Sequence, residues 1–157
     1  MKKLFLILTA VIILLTACGE KKSDAASEEL AKKEKMAKLF GLTVFELDNG
    51  IGPVKEKLTL GPVDTKIVET GKKIFDIKCA QCHKLDERYT GPAQRDLVKR
   101  RTPEYIMNMI LNPVDMVAKH PEAKKMFAQY PTQMTFQNVT YEDARNLLEY
   151  FRSLNNK

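Results

Sequence analysis

Cysteine and histidine are scarce in this chain, which carries three of the first and two of the second in 157 residues. A closed structural zinc site needs four nitrogen or sulfur ligands. Beyond one short cluster, Cys79-Ala80-Gln81-Cys82-His83, only His120 and the distant Cys18 remain, so zinc fits poorly. Long apolar runs are lacking as well. Leu4 to Leu14 is almost unbroken, but it falls short of the roughly 20 residues a membrane-spanning helix requires. The formal net charge is +6. It is not gathered into a basic stripe interleaved with aromatics, and no nucleic-acid motif accompanies it, which argues against a nucleic-acid partner.

What the chain does have is C-x-x-C-H, the shortest sequence that attaches a haem covalently and also ligates its iron. Cys79 and Cys82 supply two thiols that add to the two vinyl groups of one porphyrin edge, and His83 is then carried beneath the iron as its proximal ligand. A thioredoxin-like dithiol would need the two cysteines in a βαβ pattern. The flanking Thr70-Gly71-Lys72-Lys73-Ile74-Phe75-Asp76-Ile77-Lys78 is instead an amphipathic helix pattern. Two cysteines that are merely buried would leave the adjacent histidine as a coincidence.

The N-terminus resembles a bacterial lipoprotein signal. Lys2 and Lys3 form a basic start, the apolar run follows, and Leu15-Thr16-Ala17-Cys18 closes it as a lipobox. The resemblance implies cleavage before Cys18, acylation of that cysteine, and a cell-envelope location with the folded part in the periplasm or extracytoplasmic space. One cysteine for the lipid and two for a haem leave none for a disulfide.

Four segments are expected. Residues 1–17 are the signal and 18–40 a charged tether leading into a short helix from Glu28 to Phe40. Residues 41–63 form an irregular arm packed on the following domain, and 64–157 are that domain. Within the arm, Thr43 to Leu47 reads as extended, Asp48-Asn49-Gly50 as a turn, and Gly-Pro recurs at Gly52-Pro53 and Gly61-Pro62. From Asp64 onward the periodicity is helical. Asp64 or Thr65 caps a helix with Ile67, Val68, Gly71, Ile74 and Phe75 on one face. Thr102, Pro103 and Glu104 open a middle helix. Thr140 and Asp143 form a shortened capping box for a last helix bearing Ala144, Leu147, Leu148, Phe151 and Leu154.

G-x-x-x-F ahead of C-x-x-C-H, Gly91-Pro92 shortly after it, and a methionine before a terminal amphipathic helix together resemble a monohaem class I cytochrome c over residues 64–157. The resemblance implies an all-α fold around one covalent haem c, with Gly71 and Phe75 packed against Leu147, Tyr150 and Phe151. It also implies that the Pro92 carbonyl accepts the ring proton of His83, a bond that fixes a ligand's tautomer and orientation. The sixth ligand is implied to be Met134, in the loop before the last helix. Met126 and His120 are the alternatives, with His120 reading as exposed beside Pro121. Met107 and Met109 sit at helical spacing and are expected to pack. Arg95, Arg100, Arg101, Tyr105 and Gln133 are all placed to meet haem propionates.

A His/Met pair closes both axial positions, so the implied function is a lipid-anchored electron carrier serving redox protein partners, and not an enzyme. An open distal site would instead make a haem enzyme or gas sensor. A third reading is a structural lipoprotein whose haem only stabilises the fold. A finer resemblance rests on Glu46-Leu47-Asp48-Asn49-Gly50-Ile51-Gly52-Pro53, Arg100-Arg101-Thr102-Pro103-Glu104 and Thr132-Gln133-Met134. These are similar to stretches of small lipoprotein cytochromes that accompany nitrous oxide reductase systems, while a carrier serving a terminal oxidase would look the same.

Overall fold

The computed structural model describes residues 20–130 and 132–155. The signal, the lipobox and Cys18 lie outside the described residues. All regular structure among the described residues is helical, and none of these helices is long and apolar enough to cross a membrane.

The first helix, α1 (Glu20–Phe40), starts earlier than the sequence suggests and takes in the stretch read as a tether. Alanine, glutamate and lysine are strong helix formers, and Glu28 pairs with Lys32 one turn on at 3.0 Å. Gly41 ends α1 at φ +67, where Leu42 N–H reaches back to the Ala37 carbonyl at 2.8 Å, a Schellman closure that favours glycine. The next segment is not extended as expected. Thr43 Oγ1 accepts from Glu46 N–H at 3.1 Å while the Glu46 carboxylate accepts from Thr43 N–H at 3.0 Å, and this reciprocal cap starts α2 (Val44–Asn49).

Two helices build the centre of the domain. In α3 (Thr65–Ile74) the Asp64 carboxylate caps Lys66 N–H at 2.8 Å. Before α8 (Tyr141–Ser153), Thr140 and Asp143 cap each other at 3.0 and 3.1 Å. They cross at Gly71, where a Cβ would overlap the backbone carbonyl of Asn146. That closeness lets Phe75 meet Tyr150 at 5.6 Å and Phe151 edge-on at 5.9 Å between ring centroids, geometries that add to the burial of each ring. Between these helices in sequence come α4 (Leu97–Arg100), α5 (Pro103–Leu111), α6 (Pro113–Lys119) and α7 (Pro121–Phe127). Thr102 caps α5 through Tyr105 N–H at 3.1 Å. Ile106 and Met107 of α5 join Phe75, Leu147, Leu148 and Phe151 in one buried core.

The segment after α2 is held by side chains of α5 and α6. Asn108 is fully buried. Its Nδ2 donates to the carbonyls of Asn49, Gly50 and Val54 at 3.0 to 3.2 Å, and its Oδ1 accepts from Val54 N–H at 2.9 Å. Glu104 accepts from Leu58 N–H at 2.8 Å, and the Met116 sulfur accepts from Ile51 N–H at 3.0 Å.

His120 overturns its expected exposure, for it is 0% accessible. Pro121 ends α6 and begins α7, and at this joint the ring turns inward. Its Nε2 lies 3.1 Å from the Leu47 carbonyl, and the ring stands edge-on to Tyr105 at 5.3 Å.

Candidate functional site

The C-terminal end of α3 widens by one residue. Ala80 N–H bonds to the Phe75 carbonyl at 2.9 Å, making a π-turn over Phe75–Cys79, a device found often at functional sites. The chain then tightens, with Cys82 N–H and His83 N–H both donating to the Cys79 carbonyl at 3.0 and 2.9 Å. Cys79, Cys82 and His83 are thereby delivered to one wall of a cavity of about 350 Å³. Cys79 is partly buried and Cys82 exposed. Burial pushes the Cys79 thiol up to about 11, so it is protonated at neutral pH.

His83 is fixed from the side away from its free nitrogen. Nδ1 stands 3.0 Å from the Pro92 carbonyl. Burial draws the imidazole below its ordinary value, and this hydrogen bond opposes that effect. Gly91 donates its N–H to the Cys82 carbonyl at 2.8 Å, and a Cβ there would overlap the His83 ring. Any larger residue would displace the ring. Nε2 has no hydrogen bond among the described residues.

The opposite walls come from distant parts of the chain. Ile106, Met109 and Ile110 of α5, Met126 of α7 and Met134 of the following loop all line the cavity. Met134 and Met126 are both partly buried. Met107 belongs to the core and does not line the cavity, and Met116 is engaged with Ile51 N–H. His120 lies elsewhere, against α2. Arg100, Arg101, Tyr105 and Gln133 also border the cavity, whereas Arg95 does not and is tied to Asp86.

This donor set suits a covalent haem. Two thiols on one wall, an oriented imidazole with a free Nε2, thioethers on other walls and a largely apolar lining are what the group requires. Sequence reasoning passed over Gln94, whose side chain is buried and whose Nε2 approaches the Pro92 carbonyl at 2.6 Å and His83 Nδ1 at 2.8 Å. Its one signal was an amide placed two residues beyond a proline whose carbonyl is already in use.

Residues 68–155 match the family model described as cytochrome c. No curated protein matches the chain significantly. Among solved structures, the cytochrome c from Rhodothermus marinus is 44% identical, with a TM-score of 0.66 over 69% of this chain and 94% of that one. An engineered form of the Rhodothermus protein, Rma TDE, is 42% identical with a TM-score of 0.67 over 71% and 97%. The same engineered protein bound to a carbene intermediate is 42% identical with a TM-score of 0.65 over 71% and 97%. The all-helical fold, the C-x-x-C-H turn on the cavity wall and these matches together place the chain in the cytochrome c family, as a haem-based electron carrier with a covalently bound haem c.

Proposed function

We propose that the chain is a lipid-anchored carrier on the outer side of a bacterial membrane, moving single electrons in a respiratory chain and catalysing no reaction of its own. The observation that carries this reading is the convergence of Cys79, Cys82, His83 and Met134 on one cavity from segments far apart in sequence. Cys79 and Cys82 would hold the cofactor by thioether bonds, His83 Nε2 and the Met134 sulfur would ligate its iron, and the Pro92 carbonyl would keep the imidazole oriented. The bound iron supplies a one-electron ferric/ferrous couple. The chain's own work is to exclude water with Ile106, Ile110 and Phe75, to hold the His83 and Met134 donors at the cavity, and to present the exposed Cys82 side toward partners. The anchor is Cys18. The donor is a respiratory redox protein, and the acceptor is a terminal reductase or oxidase, with nitrous oxide reductase favoured by the finer sequence resemblance.

A second reading, a haem enzyme or gas sensor with an open distal site, draws support from two facts. The loop carrying Met134 is mostly exposed and has no regular structure, and a similar engineered protein accommodates a carbene intermediate. Spectra in both oxidation states separate the two. The carrier reading requires the weak long-wavelength sulfur-to-iron band in the ferric protein and no carbon monoxide binding by the ferrous one. Met134→Ala is expected to remove that band, admit carbon monoxide and lower the potential by a fraction of the roughly 0.8 V that axial ligands span. Met126→Ala is expected to leave all three nearly unchanged. Wild-type protein that lacks the band and binds carbon monoxide would establish the open-site reading instead.

A further inference from the structure

The geometry points to Gln94 as a residue that raises the reduction potential by sharing the carbonyl that holds His83; this rests on the reading of His83 as iron ligand. With Nε2 given to iron, the neutral ring carries its proton on Nδ1 and donates it to the Pro92 carbonyl at 3.0 Å. The Gln94 Nε2 lies 2.6 Å from the same oxygen. Turning the amide over would set Oε1 against that oxygen, two acceptors with no proton between them. Gln94 is therefore a second donor. Its 2.8 Å approach to Nδ1 is then a contact between two N–H groups aimed at one acceptor, not a hydrogen bond.

The ring is affected in two ways. The carbonyl's electron density is divided between two donors, and the adjacent N–H dipoles repel. Both effects weaken the Nδ1–H···O bond relative to Pro92 acting alone. A weaker bond leaves the proton more firmly on Nδ1 and the imidazole less electron-rich, so ferric iron is stabilised less. The Gln94 amide is largely withdrawn from water, at 7% exposure, which strengthens its hold on the carbonyl. Its position is set by the main chain, with Gln94 N–H donating to the Lys84 and Leu85 carbonyls at 3.0 and 3.1 Å. A substitution that keeps these bonds removes the donor alone.

The test compares holoprotein with Gln94→Leu and Gln94→Met, which keep apolar bulk and remove the amide; the second serves if the first does not fold. Equilibrium redox titration should show the ferric form favoured by about tenfold in both variants, ~59 mV for a one-electron couple. Proton NMR of the ferrous proteins should show the His83 Nδ1 proton moved downfield, as its hydrogen bond strengthens. A packing role alone would not move that signal. If the variants keep the wild-type sulfur-to-iron band but show neither shift, or a potential above wild type, Gln94 does not tune the iron. If wild type itself lacks histidine and methionine ligation in its spectra, the ligand reading fails first and the inference with it.

Discussion

His120 shows what a single side chain costs when it is buried neutral. Its Nε2–H is committed to Leu47, and Nδ1 is buried without a partner. A proton arriving at Nδ1 would thus place a charge in a buried site. Burial is the main cause of the lowered affinity for that proton; Arg101 adds to it, while the carbonyls of Leu47 and Glu46 and the carboxylate of Glu122 oppose it. Between the depressed folded value and the ordinary 6.5, the unfolded chain binds the proton and the folded one does not. Stability therefore falls as pH drops below 6.5, and this contribution is constant above it. His120→Gln retains a donor for Leu47 without a titratable ring. Thermal unfolding of the holoprotein from pH 7 to about 5 is expected to show a shallower loss of Tm in His120→Gln than in wild type. Parallel slopes would show that His120 contributes nothing to acid sensitivity.

At the scale of elements, the cavity exists because α3 and α8 meet closely enough to hold Phe75 in place one turn before Cys79. Gly71→Ala tests this directly. Alanine improves helix propensity by about 1 kcal/mol, but its methyl group overlaps the Asn146 carbonyl, which is backbone and cannot rotate away. Overpacking costs about 1–3 kcal/mol, and against a backbone atom that cannot move aside the upper end applies, so a net loss of about 2 kcal/mol is expected in urea unfolding. A variant as stable as wild type would mean that the crossing has slack. The same contrast explains what was legible in the sequence. The starts of α3, α5 and α8 are written in adjacent residues, Asp64, Thr102 and Thr140 with Asp143, because capping is local chemistry. The C-x-x-C-H turn is local for the same reason. Asn108, Glu104, His120 and Gln94 act through neighbours 11 to 73 positions away or through a carbonyl whose direction depends on the fold, and no local pattern announces them. Thr43 to Leu47 misled because its β-branched and aromatic residues suggest a strand, while the Thr43–Glu46 capping box decides for helix.

At the scale of the whole molecule, an exposed leading helix precedes the residues that match cytochrome c. Residues 25–31 of α1 face solvent, and Ala37 near its end is buried. Contacts between α1 and α2, such as Lys33 with Asp48 at 2.9 Å, lie in the second half of α1. At 1.5 Å per residue such a helix spans on the order of 30 Å, enough to serve as a spacer ahead of the cavity if Cys18 carries the proposed anchor. Several acyl chains on one residue anchor far more firmly than the marginal binding of a single chain. Cys18→Ser is therefore expected to accumulate as an unprocessed precursor or as soluble protein, while any soluble fraction keeps the wild-type haem spectrum and the wild-type rate of electron exchange with a soluble redox partner. Membrane fractionation with haem-stained denaturing gels reads the first outcome, and stopped-flow spectroscopy the second. Wild-type protein recovered soluble, processed and without lipid would remove the anchor. A Cys18→Ser protein that is soluble but slow toward the soluble partner would show instead that the N-terminal region takes part in docking.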